Sequence, residues 1–273
     1  ELKLSKLIKS GEIMITTNPF AENVLNIPSY AIQGFLILMV VFTIGGVILD
    51  MMHKKNVKFF FQNAKKAKLS ATTTVSTGEK ASIIVKTLAH DVATSAEFCG
   101  VSRRVTHLLG MYGTILFWVA SAVMIFNTSS SSTIYPMLWH VGAIMTCVGG
   151  YWFWFIQRVD VRAEGNSWSR IVFADLFVLS LVGTSTLGLL WSYFQSANSA
   201  GLATLFFVMF IISNVILFGG VYWSKFAHMF YKPGAAIQKH IAEADGSRDD
   251  LPAPADLPKQ FGLGIKRSEP QNY

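Results

Sequence analysis

Charge is scarce in this sequence. Asp, Glu, Lys and Arg make up 14% of its 273 residues, against about a quarter in ordinary water-soluble domains. Cysteine is scarcer, with only Cys99 and Cys147. Two thiols exclude an iron–sulfur cluster, which takes about four, and Cys147 lies inside an apolar run where a structural disulfide has no logic. No glycine-rich nucleotide loop, flavin motif or convincing internal repeat is present. What fills the chain is apolar: 52% hydrophobic and 13% aromatic, the composition of a membrane protein with aromatic belts at its interfaces.

Five runs approach the roughly 20 apolar residues that cross a bilayer: 28–50, 105–127, 134–157, 171–194 and 202–224. The expected fold is therefore all-α, an integral membrane bundle of five transmembrane helices. The run from about residue 28 is too long for a cleavable leader. Basic residues then set sidedness. The loop 53–104, the 158–170 connection and the chain from Lys225 onward hold 20 of the 23 Lys and Arg, while 127–133 and 195–200 hold none. The positive-inside rule puts that basic side in the cytoplasm, with the N-terminus outside and the C-terminus inside. A nucleic-acid patch at 54–68 is set aside because the segment is juxtamembrane. Residues 1–12 read as either a turn or two of interfacial helix or a frayed tail. The polar, proline-containing chain after His240 reads as an extended segment without a core of its own.

Depth sorts the six histidines. His107 opens the second run and His228 ends the fifth, both on the basic side, so the two can face one another. His140 opens the third run at the opposite side and cannot pair with either. His53 is a spare, and His90 and His240 lie outside the runs. Two histidines at one depth on different helices are what a haem iron needs. The bland alternative is a pair of interfacial histidines. Gly110 shares a helical face with His107 and leaves room for a flat macrocycle, although helix packing in membranes also favours small residues. Arg103, Arg104, Lys225 and Lys232 lie at that depth and suit haem propionates. The positive-inside rule accounts for most of them equally.

The segment "WSKFAHMFYKP" resembles the end of the last helix of the respiratory nitrate reductase gamma-subunit superfamily of membrane cytochromes b. "AEFCGVSRRVTHLLGMYGTILFW" and "NIPSYAIQGF" look like the starts of that superfamily's second and first helices. "FGLGIKRSEPQNY" is similar to the ending of the membrane subunit of quinone-interacting oxidoreductases, which with heterodisulfide-reductase-like complexes belong to that superfamily. The resemblance implies that His107 and His228 ligate haem b. It further implies an extracytoplasmic segment 1–27, a five-helix cytochrome b domain 28–232 and a cytoplasmic tail 233–273. Two-haem members carry a further histidine 18 residues before the last one, where this chain has Phe210, and place one at the start of the third span, where this chain has Tyr135 before Pro136. One haem is the resulting expectation. A second would need His140 with an unusual partner such as Met209, and a structural His140, bonded near Tyr135 or Gln195, is preferred.

The expected function is a haem b membrane subunit that passes electrons between the quinone pool and iron–sulfur or flavoprotein subunits on the cytoplasmic side. Such a subunit is not catalytic alone. The loop 53–104 and the C-terminal tail are the expected docking surface for that partner. Asp175, near the basic side of the fourth run, is the quinone candidate, since intramembrane polar residues are functional by default. Interhelical hydrogen bonds are favoured for Ser213 and Asn214. The rival reading is a haem-poor anchor subunit of a larger complex. A transporter is disfavoured by the lack of paired broken helices.

Overall fold

The computed structural model describes residues 14–21, 26–96, 98, 100–128, 132–158 and 165–247, leaving out the side chains of Asn56 and His228. The expectations for residues 1–12, Cys99 and the chain beyond 247 therefore lie outside the described residues. Among the described residues the chain is all-helical. Its long helices are α1 (Ser29–Lys54), α4 (Val101–Phe126), α5 (Ile134–Trp152), α6 (Leu176–Ser196) and α7 (Ala200–Gly219). Among the described residues four helices are long and apolar enough to cross a membrane: α1, α4, α7, and α6 together with the 3-10 turn before it, Phe173–Ser196. The third expected run is helical too, through α5 and a π-helical turn to Gln157. It is less apolar than the other four, because Tyr135, Pro136, His140, three glycines and Tyr151 interrupt its aliphatic residues.

Helices α4 and α5 form the tightest seam. A Cβ at Gly113 would lie 2.6 Å from the Thr146 backbone nitrogen, one at Gly142 2.6 Å from that of Phe117, and one at Gly149 2.6 Å from that of Gly110. Lipid tails are as apolar as leucine, so burial of apolar surface drives little association inside a membrane. Close backbone approach does so instead, through dispersion contacts, and it needs glycine. Across the same seam Thr114 and Thr146 bring their hydroxyls to 3.4 Å.

One end of the bundle is filled by aromatic rings. Trp139 and Trp191 are fully buried there, and Phe20 packs edge-on to both, with centroids at 6.1 and 5.3 Å. The segment around Phe20 is tied down by Asn18 Nδ2 donating to Met124 O and by Gln195 Nε2 donating to Pro19 O. At the other end Leu217, Val221, Phe226 and Ala227 make a second cluster.

The expected loop 53–104 is mostly helix. Lys55, at φ 52°, separates α1 from α2 (Asn56–Leu69). Helix α3 (Thr77–Thr87) starts at an N-cap in which Ser76 Oγ accepts from Glu79 N, and it runs into a π-helical turn, Leu88–Val92. The apolar run expected to continue to 224 ends at Gly219. The next residue, Gly220, lies so close to Ile216 O that a Cβ would collide with it, and a turn follows in which Trp223 N and Ser224 N both bond Gly220 O. His228 does not end the fifth run. It starts a further helix, α8 (His228–Ala244), which contains Pro233 instead of stopping at it and carries the chain past His240. Helix α8 lies against α3 and α2, and Thr72 N and Thr73 N bond Asp245 O.

Helix α1 is the least embedded span: of its 26 residues only Ile32, Met39 and Asp50 are buried. It is held at its two ends. Gln33 Nε2 donates to Ile125 O at 3.1 Å. At the other end Gly46 abuts Val221, and Lys54 Nζ donates to Tyr222 O at 3.2 Å.

Candidate functional site

The start of α4 is wrapped by the chain that precedes it. Ser95 Oγ lies 2.9 Å from His107 Nδ1. Arg104 Nε donates to Thr94 O at 2.7 Å, and Tyr112 Oη to Ala93 O at 2.6 Å. The Phe98 ring lies 4.8 Å from the His107 ring. The Phe98 ring also has two cations over it: Arg103 at 5.8 Å and, from another helix, Lys232 Nζ of α8 at 5.5 Å. Position 228 is one helical turn before Lys232, so the two positions share a face of α8. Phe98 is thus a meeting point for the first turns of α4 and α8. The side chain of His228 itself is not described. Lys225 lies exposed on the turn leading to α8.

His107 is exposed, and its ring is oriented by Ser95. In the tautomer whose Nδ1–H donates to Ser95, Nε2 carries the lone pair that an iron takes. Fixing one ring nitrogen through a hydrogen bond is how metal-binding imidazoles are held. One turn on, none of the described residues lies within 4 Å of where a Cβ of Gly110 would be. The backbone of Gly110 packs on Gly149 while its open side faces empty space. Packing therefore accounts for Gly113, Gly142 and Gly149, and leaves the bare surface at Gly110 without a helix against it. Among the described residues no three His, Cys, Asp or Glu side chains cluster as a metal site, which is no bar to a haem held by two histidines.

His140 is 2% exposed and fully engaged. Its Nδ1 lies 2.7 Å from Pro136 O and its Nε2 2.9 Å from Ser192 Oγ. It was expected to bond near Tyr135 or Gln195; the observed partners are Pro136, the residue after Tyr135, and Ser192, three before Gln195. Gln195 instead accepts from Trp191 Nε1. Phe210 is buried against Trp191, 5.5 Å between centroids. The neighbouring Met209 is 41% exposed on the outer face of α7 and does not turn towards His140.

Asp175 is occupied by a structural ion pair. Its Oδ2 accepts from Arg158 Nη2 and from Val172 N at 3.0 Å. Arg158 is 4% exposed, donates to Arg170 O at 2.7 Å and lies 4.3 Å over the Trp154 ring. Ser213 makes the expected interhelical bonds, donating to Ser180 O and accepting from Thr184. Asn214 does not: its Nδ2 donates to Phe210 O of its own helix, at 2.8 Å.

Two features escaped the sequence. His240 Nε2 lies 2.6 Å from Asp91 Oδ2 and its Nδ1 2.9 Å from Glu243, while His90 takes the other Asp91 oxygen at 2.9 Å. Asp91 chiefly raises the His240 pKa above its ordinary 6.5. Burial works to raise the Asp91 pKa, but hydrogen bonds from His90 and His240 outweigh it and hold the carboxyl below 3.8. The second feature is Asp50, buried at 2% exposure and paired with Lys54. Beside it, burial and then the Asp50 carboxylate push the Tyr231 phenol up to about 12.

Comparison of the chain with known families, with curated proteins and with solved structures finds no match.

Proposed function

We propose that this chain is the haem b membrane subunit of a respiratory complex in a prokaryotic cell membrane. It passes electrons between the quinone pool and an iron–sulfur or flavin-bearing partner subunit on the cytoplasmic side. The observation that carries this reading is the meeting at Phe98 of the His107 ring and of Lys232, one turn from position 228. His107 and His228 are the axial ligands. Ser95 orients the first of them, Gly110 leaves the adjoining surface bare, and Arg103, Arg104, Lys225 and Lys232 supply cations for propionates. Bound there, haem b provides one-electron redox chemistry.

In this reading α5 is a fifth span, supported by a glycine seam that runs beside α4 from Gly113–Thr146 to Gly110–Gly149. The N-terminus is outside and the C-terminus in the cytoplasm, as the basic residues argue. Cysteine labelling of the 240–273 tail from the outer face of intact cells contradicts that orientation if it succeeds. The haem test is spectroscopic. The purified protein should show a reduced b-type difference spectrum with about one haem per chain, and His107→Ala and His228→Ala should each abolish it. Two variants that keep a low-spin spectrum sink the assignment. A wild-type protein with no such spectrum makes the chain an anchor subunit instead.

A further inference from the structure

Helix α1 makes its hydrogen bonds to the bundle towards its ends and buries only Met39 along its middle, and a gap remains between it and the helices behind it. This is a cavity of about 1020 Å³, at the upper limit of the roughly 300–1,000 Å³ usual for small-molecule sites. It lies between α1, α2, α4, α7 and α8, and exposed residues of its wall, such as Val40 and Ile44, open it towards the lipid side. The lining is almost wholly aliphatic and aromatic. Of its polar groups, Thr43 donates to Met39 O, Tyr231 reaches Val47 O, and Ser121 donates to Phe117 O while accepting from Trp139. Two groups keep unused capacity: Trp118 Nε1, a buried donor with no partner among the described residues, and the Asn214 amide. One N–H of that amide is used on Phe210 O. The other N–H and the Oδ1 have no partner among the described residues, and the residue is 8% exposed.

An amide with an unused donor and an unused acceptor in an apolar cavity is costly unless a ligand completes it. Position 214 is five residues from the end of α7, so about 8 Å inside the membrane at 1.5 Å per residue. A phospholipid reaching that depth with its ester groups would drag its charged headgroup into hydrocarbon. A small, uncharged ring on a long apolar chain meets both conditions. We propose that the cavity holds a prenylated quinone or quinol. The second Nδ2–H of Asn214 donates to a quinone carbonyl, or its Oδ1 accepts from a quinol hydroxyl, and the chain lies along α1. This moves the quinone site away from Asp175, and it rests on the reading of the protein as a quinone-linked subunit. In the wall of the cavity Trp118 and Phe226 stack with centroids 6.0 Å apart. Phe226 is two residues before His228, so the site adjoins the proposed haem.

The test is binding, independent of electron transfer. Decylubiquinone and a short-chain naphthoquinone are titrated into the detergent-purified protein, with bound quinone read by equilibrium dialysis. Asn214→Leu removes the amide, and Ala122→Trp fills the cavity from α4. Each should weaken binding of at least one quinone tenfold or more, with circular dichroism and haem-to-protein ratio unchanged. Unchanged affinity in both variants overturns the proposal, as does displacement of the quinone by equimolar phosphatidylcholine. Wild-type protein that binds quinone through these residues but lacks haem keeps this site and sinks the haem reading. Protein that binds haem but whose quinone affinity does not depend on Asn214 or Ala122 does the reverse.

Discussion

Replacing His140 by alanine should cost stability and leave the haem untouched. Pro136 O can only accept, so His140 Nδ1 carries the proton and donates across 2.7 Å. Nε2 then accepts from the Ser192 hydroxyl at 2.9 Å. Neither nitrogen has a lone pair left for iron. The ring also packs edge-on against Trp139, 4.8 Å between centroids at 77°, and is 2% exposed. Deleting a buried ring typically costs about 3–5 kcal/mol. Here the lower part of that range applies, because imidazole is the smallest of the rings and Ser192 can turn its hydroxyl to a carbonyl of its own helix. The cross-helix bond itself is worth about 0.6 kcal/mol, up to ~1.7, on the experience of other membrane proteins. A double-mutant cycle of His140→Ala with Ser192→Ala should therefore return a coupling near ~1 kcal/mol within a total loss of about 3–4 kcal/mol. The assay is reversible unfolding in mixed micelles followed by tryptophan fluorescence, with pyridine haemochrome run on the same samples. His140→Leu, which refills the volume, should recover part of the loss. If His140→Ala lowers the haem-to-protein ratio, or the wild-type ratio is near two, the reasoning fails and His140 is a ligand.

Two further outcomes follow from specific contacts. Gly113→Leu should destabilise the fold by about 1–3 kcal/mol or more, since the new Cβ meets backbone that cannot yield without parting α4 from α5. Gly110→Leu should leave the unfolding midpoint unchanged or raised, because nothing stands against it, yet lower haem content. A Gly110→Leu protein with full haem would show that the macrocycle does not lie over that residue. The His240–Asp91 contact should hold α8 to the α3 region between about pH 4 and 6.5. The Asp91 contribution is present above its ordinary 3.8 and is lost as pH falls through its lower folded value. The His240 contribution is complete below 6.5 and is lost as pH rises through its raised folded value. The pair is partly exposed, so the effect is small, about 0.2–1 kcal/mol. Hydrogen exchange, corrected for intrinsic rates, should show less protection in 228–244 at pH 8.5 than at pH 5.5, and Asp91→Asn should erase that difference.

Long apolar runs bounded by charge made α1, α4, α6 and α7 legible to within a few residues. The division of faces was not legible. In a bilayer both sides of a span are apolar, so hydropathy does not separate residues that pack from residues that meet lipid. On α7 the buried positions Ala203, Phe207, Phe210, Ser213, Asn214 and Leu217 recur every three or four residues, while Leu205, Val208, Met209 and Ile212 are exposed. The sequence is apolar at nearly all of them. The cavity behind α1 was invisible for the same reason. Polar residues were more informative, because each must find a partner. His140 was read as structural from its depth and from the lack of a second ligand at Phe210, with its bonds near Tyr135 or Gln195. Helical phase fixes which neighbours they are: Pro136, one turn back, and Ser192, one turn before Gln195. Helix α3 carried a readable start, Ser76 followed three residues later by Glu79, inside a stretch taken as loop on its charge.

The end of α7 bears most directly on function. The sequence from 202 to 231 has no acid and a single lysine, so it reads as one span with His228 just past its end. Gly219 and Gly220 were the available signal for a break. The turn at Gly220 brings Val221, Phe226 and Ala227 into the core and lets α8 set off in its own direction. A histidine at the end of a continuous span would be fixed by that span alone. His228 instead belongs to a helix that Lys232 ties to Phe98 and His240 ties to Asp91. Both anchors lie in residues 88–98, the segment that also holds His107 through Ser95. The two proposed ligands are therefore positioned by one shared stretch of chain. A substitution there, such as Phe98→Ala, should loosen both ligands together and broaden the haem spectrum without removing either histidine. An unaltered spectrum in that variant would mean that each ligand is held by its own helix.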